Sequence, residues 1–403
     1  MKIKLLFVVL SFLGMAKAQN TWTQKTPFPG KARHSAVGFS IGTKGYIGTG
    51  YNNPLDSVFS DFWEWNPEAN TWIQKASFGG GARGWASGTS LGAKGYIGVG
   101  YDLFTTLGDF WEYDTASDNW TKKGLFSGPP SSNGLSFSIG SKLYLLGESS
   151  DFWEYNPQTN IWVQKTDYPG QSQFGQTSFS IGDKAYVGLG NITSSTFAKD
   201  FWEYDPEFDS WTPKEDFGGA ARSAAVGFSI GSKGYIGTGS ASPGGFTDLF
   251  KDFWEYNPVS NKWTRKADFG GTARSVASGF SIGTKGYIGI GWDASSSKNR
   301  QDFWEYTPDT ATTSVKETVI NPLISIYPNP FSGSTTLYSE TMLSHAAIII
   351  FNTLGQPVKR IENISGHRLD ILRDNLPAGL YFIQLSQENK TFTSNKSLLI
   401  TDN

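Results

Sequence analysis

The 403-residue chain contains no cysteine. Disulfides, thiolate metal ligands and cysteine nucleophiles are therefore excluded together. Histidine is nearly absent, with His34, His345 and His367 the only three. A histidine-built metal centre or a histidine-assisted nucleophile lacks partners over most of the length. Charge is sparse, 17% of residues with a formal net charge of −2, which provides no basic footprint for nucleic acid. Long apolar runs are also missing. The first, Leu5 to Leu13, is too short to span a bilayer comfortably, so no transmembrane segment is expected. Lys2 and Lys4 precede it and Ala16-Lys17-Ala18 follows, the layout of a signal peptide (1–18) cleaved near Ala18.

Glycine and aromatic residues are abundant instead: 47 Gly, 15 Trp, 17 Tyr and 29 Phe. Aromatics fill sheet interiors and glycines permit tight turns, so the class expected is all-β. The segment Asp61-Phe62-Trp63-Glu64 recurs at Asp109, Asp151, Asp200, Asp252 and Asp302. A tryptophan in a short strand follows it at Trp72, Trp120, Trp162, Trp211 and Trp263. A third element of the Lys-Gly-Tyr-Ile-Gly kind is centred on Tyr46, Tyr96, Tyr144, Tyr186, Tyr235 and Tyr287. Each unit thus offers four short strands, and strand-rich repeats of this length are the mark of propeller blades. The chain enters on a lone strand, Thr21 to Lys25, and leaves the repeats on Asp302-Phe303-Trp304-Glu305-Tyr306. Pairing those two segments would complete the sixth blade and remove an open sheet edge.

These units resemble the kelch repeat, most fully from Arg222 through Tyr235, Gly237, Gly239, Trp254, Tyr256 and Pro258 to Trp263. The resemblance implies a six-bladed kelch β-propeller over residues 19–308. Galactose oxidase also carries kelch blades, but its copper chemistry needs a Tyr–Cys link and histidines that this sequence lacks. A polar stretch, 309–322, reads as a linker, and Asp309-Thr310-Ala311 in it is similar to a bacterial O-glycan attachment site. Residues 323–403 alternate apolar strands with turns and read as a small β-sandwich. Tyr327-Pro328-Asn329-Pro330, the Leu354-Gly355 turn and Pro377-Ala378-Gly379-Leu380-Tyr381 resemble the C-terminal sorting domain of type IX secretion substrates. That resemblance implies the type IX machinery as partner, and a destination in the medium or on the outer-membrane surface of a Gram-negative cell.

Arg33, Arg83, Arg222 and Arg274 each stand thirteen residues before the blade tyrosine, whereas units three and four carry Ser131 and Gln173 there. The kelch resemblance puts this position near the mouth of the central channel. An arc of guanidinium groups there would suit an anionic ligand, and the alternative is that each arginine braces its own blade. The repeated Asp and Glu follow the blade period, so they read as structural. Variable loops on the same face add Tyr51, Tyr101, Phe246 and Trp292 as stacking candidates. The function expected is a secreted or surface binding protein, monomeric, for a glycan or protein ligand. No catalytic residue, metal or cofactor is expected. The alternatives are a kelch-type carbohydrate-active enzyme such as a sialic-acid mutarotase or epimerase, and an adhesive surface protein.

Overall fold

A computed structural model describes residues 20–242, 246–309, 324–353, 356–387 and 390–402. The signal peptide, nearly all of the linker and two residues of the O-glycan motif, Thr310 and Ala311, lie outside them. The chain divides into two compact units, one ending at Thr310 and one starting at Ala311. No helix among the described residues is long and apolar enough to cross a membrane.

Among the described residues the first unit holds six four-stranded antiparallel sheets and two short two-stranded ones in its loops. Blade one is built from Val37–Ile41, Lys44–Gly48, Phe62–Asn66 and Thr71–Lys75, in that order from the innermost strand outwards. Blades two to five repeat the plan, with innermost strands Ser87–Leu91, Leu135–Ile139, Thr177–Ile181 and Val226–Ile230. Blade six takes Ser278–Ile282, Lys285–Gly289 and Phe303–Thr307, and its outermost strand is Thr21–Lys25 from the other end of the unit. That strand pairs antiparallel with the last one, Trp22 opposite Tyr306. Tyr306 also donates its hydroxyl to Asn20 Oδ1 at 2.8 Å, as Tyr256 does to Asn261 within blade five. Closure therefore reuses the bond that blades two to five each make within themselves.

Aromatic rings fill the seams between blades. Phe62 of blade one meets Tyr113 and Trp120 of blade two edge-on at 5.0 and 5.1 Å. Phe303 of blade six meets Trp65 and Trp72 of blade one at 5.1 and 4.9 Å. Edge-to-face contacts at such separations add to the free energy of burial. The fit is close enough to require glycine at Gly95, where a β-carbon would stand 2.7 Å from Phe39 Cζ of the neighbouring blade. Within a blade the mid-strand acids accept from the repeat tyrosines, as Glu64 does from Tyr46 at 2.9 Å and Glu255 from Tyr235 at 2.7 Å. Their regular use as acceptors is what the sixfold repetition implied.

The second unit places five strands in one hydrogen-bonded sheet. Its two longest strands, Ser334–Phe351 and Pro357–Leu372, are irregular at several points along their shared register. Such bulges let one strand turn through both layers of a sandwich. A single apolar core results, including Leu337, Ile348, Ile371 and Leu398.

Candidate functional site

The four repeat arginines are at most 1% exposed. Each clamps the aspartate that opens the third strand of its blade: Arg33 on Asp61, Arg83 on Asp109, Arg222 on Asp252 and Arg274 on Asp302. The pairs are bidentate, with Arg222 Nη1 and Nη2 at 2.5 and 2.8 Å from the two Asp252 oxygens. Nη1 also donates to a backbone carbonyl, Thr238 in this blade, and the guanidinium lies over the rings of Phe217 and Phe250. Burial by itself would raise the Asp252 carboxyl, but the hydrogen bonds and charge of Arg222 outweigh it and hold it below the usual range. Asp302, paired with Arg274, is shifted downward for the same reasons. The expectation that these arginines offer positive charge to a ligand is therefore corrected. They are blade braces whose charge is neutralised and whose surface is covered.

The loops around the channel mouth form the surface that remains. Six residues, one per blade and each two positions after the arginine position, ring the mouth: Ser35, Trp85, Asn133, Gly175, Ala224 and Val276. All six have left-handed backbone, with φ between 47° and 73°. Their peptide groups bond from blade to blade: Asn133 to Trp85, Trp85 to Ser35, Ser35 to Val276, Val276 to Ala224, and Ala224 to Gly175, at 2.9 to 3.1 Å. The sixth link, Gly175 to Asn133, is not formed. A second set of inter-blade bonds stops at the same seam. Gly50, Gly100, Gly190, Gly239 and Gly291 each donate to the next blade, whereas Gly147 of blade three donates to Asp151 of its own. The break falls between the two blades that lack the arginine.

Inside this ring lies a cleft of about 150 Å³, lined by Trp85, Asn133, Phe174, Asn191, Phe246 and Val276 among others. None of its lining residues is ionisable. The channel beneath, about 200 Å³, is lined by small and neutral side chains such as Gly38, Ser136, Gln176 and Ser278. Trp85 is the feature that stands out. A tryptophan in left-handed backbone is a steric outlier, since its neighbours in the ring are mostly small or turn-forming residues. The blade-to-blade hydrogen bonds hold it there, with its ring half-exposed at the mouth.

Three of the four aromatic candidates support that arrangement from behind. Tyr51 and Tyr101 pack on Trp85 at 4.9 and 6.4 Å, their hydroxyls engaged by Asp56 Oδ1 and the Leu103 carbonyl. Trp292 donates its indole N–H to the Phe246 carbonyl and packs against that ring. Only Phe246 lines the cleft itself. His34, fully buried, is the hub of the group, with Tyr51, Trp85, Phe246 and Trp292 around its ring. Its ring nitrogens face Ser35 Oγ at 2.8 Å and Asn53 Oδ1 at 2.5 Å. Burial lowers its pKa to about 4 against the pull of the Asn53 bond, so it is neutral at physiological pH. Trp85, Phe174, Asn133 and Asn191 were not singled out from sequence. The available signal was the repeat itself, in which a tryptophan interrupts a column of small residues.

A wider groove of about 730 Å³ runs along the loops of blade six, past Lys251, Asn299, Arg300 and Trp304. Its charges are largely taken: Arg300 Nε binds Asp293 at 2.8 Å and Asp302 holds Arg274. Among the described residues no group of three or more His, Cys, Asp or Glu could hold a metal ion.

The solved structure of YjhT superposes on this chain with a TM-score of 0.60 and 14% identity, covering 69% of this chain and 95% of that one. At that identity the likeness speaks for the fold. The first unit has the fold of a β-propeller, with six four-stranded blades. A family of secretion system C-terminal sorting domains matches residues 325–401, so the second unit is a type IX sorting domain. No curated protein matches the chain in sequence. The sorting domain implies export and contact with the secretion machinery, and the propeller is what precedes it in the chain.

Proposed function

We propose that the kelch propeller is an exported binding protein whose channel-mouth cleft takes a neutral sugar unit of a larger glycan. The observation that carries this reading is the cleft's composition. Trp85, Phe174 and Phe246 offer apolar ring surface, Asn133 and Asn191 offer amide donors and acceptors, and no charge is present. Recognition of that kind suits a ring with C–H faces and hydroxyl edges. The volume is below the roughly 300 Å³ at which drug-sized pockets begin, which fits one ring and not a chain. The anionic form of the reading loses its support because the arginines are spent on the repeat aspartates. A carbohydrate-active enzyme would need a placed acid or base, and neither cleft nor channel presents one among the described residues. An adhesive role without a single ligand would leave the cleft residues without consequence for binding.

A glycan array probed with residues 20–309 tests this. Binding to neutral glycans is expected, weakened at least tenfold by Trp85→Ala and by Phe246→Ala at unchanged overall fold. Retention by acidic glycans only, or equal binding by both variants, would overturn the reading.

A further inference from the structure

Four blades close the aspartate of their third strand with an arginine, and blade four does so by other means. Gln173, at the arginine position, is exposed. The equivalent glycines of the repeat provide a common ruler for what fills the space. A β-carbon built on Gly30 would lie 2.8 Å from Arg33 Nη2 and 2.9 Å from Asp61 Oδ2, and on Gly219 2.9 and 3.0 Å from Arg222 Nη2 and Asp252 Oδ2. On Gly170 of blade four it would instead collide with the Tyr168 hydroxyl. A β-carbon on Gly50 would meet Arg33 Cδ at 3.0 Å, while on Gly190 it would meet Ser172 Cβ at 2.9 Å. The phenol and the serine thus stand where guanidinium and stem stand elsewhere.

Asp200 keeps the place of the other aspartates. Its Oδ2 accepts from Trp202 Nε1 at 2.8 Å and from the Gln171 N–H at 3.3 Å. Its Oδ1 is buried and has no hydrogen-bond partner. Tyr168 and Ser172 are each 2% exposed, and neither hydroxyl makes a well-formed hydrogen bond although the two are neighbours. Burial, with the Asp200 charge beside it, raises the Tyr168 phenol, which therefore stays a neutral hydroxyl. Asp200 Oδ1 is left buried without a donor, beside the Tyr168 and Ser172 hydroxyls, in the place where the four arginine-bearing blades carry one positive charge.

We propose that Asp200 Oδ1, Tyr168 Oη and Ser172 Oγ bind a monovalent metal cation, sodium or potassium, that replaces the arginine of this blade. The ligands are all hard oxygens, with neither nitrogen nor sulfur, which selects alkali and alkaline-earth ions over transition metals. A single carboxylate balances a single charge, as each aspartate does with its guanidinium. Calcium ordinarily gathers roughly six to eight oxygens, several of them from carboxylates, and magnesium keeps most of its water, so neither matches a site of one carboxylate and two hydroxyls.

Thermal unfolding of the full mature chain in sodium, potassium and choline chloride at equal ionic strength tests the site. A binding ion stabilises the folded state by mass action, so Tm is expected to be about 2 °C or more higher in sodium or potassium than in choline. Tyr168→Phe, which restores the phenylalanine of other blades, and Asp200→Asn are expected to abolish the difference. A thallium(I)-soaked crystal of the unaltered chain should show anomalous scattering between the three oxygens. Equal Tm in the three salts, a difference that survives both substitutions, or no thallium peak at the site would each overturn the proposal.

Discussion

Arg222 has no exposed surface, two carboxylate oxygens, two carbonyls and two aromatic faces as partners, and a counterpart in each of three other blades paired with its own aspartate. Removing one member of such a pair leaves a buried charge uncompensated, which costs about 3–5 kcal/mol. Arg222→Ala is accordingly expected to lower the unfolding free energy by that amount in a urea titration. The Arg222→Ala, Asp252→Ala double variant should lose less than the sum of the single losses, since both remove one interaction. His34 sets a second expectation. Its folded pKa of about 4 lies below the ordinary 6.5, so the unfolded chain takes up the proton first as pH falls. Stability from this group is complete above pH 6.5 and is lost progressively toward pH 4, by up to about 3 kcal/mol. The downward-shifted Asp252 and Asp302 act in the same direction at lower pH, whereas burial raises Asp151, which has no arginine, and favours its folded form in acid. His34→Gln should flatten unfolding free energy between pH 6.5 and 4, measured by denaturant titration at each pH.

At the scale of elements, the strand Thr21–Lys25 carries more weight than its length suggests. It gives blade six its outer edge, and Trp22 packs edge-on against Phe253 and Phe269 while donating to the Ala267 carbonyl. Deleting residues 20–26 strips that tryptophan from the seam and exposes the Phe303–Thr307 edge. A loss of about 3 kcal/mol is expected from the half-buried ring together with the uncovered strand edge. Unchanged urea unfolding after the deletion would mean that closure contributes nothing. The seam between blades three and four is the converse case. It lacks both mouth-side inter-blade bonds, so its amides should exchange with solvent faster than their counterparts at the other five seams. Gly175 is the position at which hydrogen exchange would register this, since the Gly147 N–H is held by the Asp151 carbonyl of its own blade.

The whole molecule is two units with separate cores, each able to bury its own apolar surface. Calorimetry of the mature chain should show two transitions, and the propeller's should persist at the same temperature when residues 311–403 are removed. The blade count, the strand that closes the ring and the sorting tail were legible in sequence because they are repeated or local. Asp-Phe-Trp-Glu recurs six times, each copy folds by the same short-range pattern, and the missing fourth strand at Tyr306 has a spare at Thr21. The cleft was not legible in that way. Its walls come from blades two to six, each contributing one to three residues that mean nothing along the chain. Trp85 reads as a loop residue until the ring of backbone bonds turns it into the mouth, and Arg222 reads as a ligand contact until Asp252, thirty residues on, is seen to cover it. Composition and period by themselves determined the class of fold, and short motifs its export, because strand formation, turn chemistry and targeting signals are local. Which charges are spent and which surfaces stay open was decided only by tertiary structure, because neutralisation and burial depend on partners that the chain brings together from distant blades.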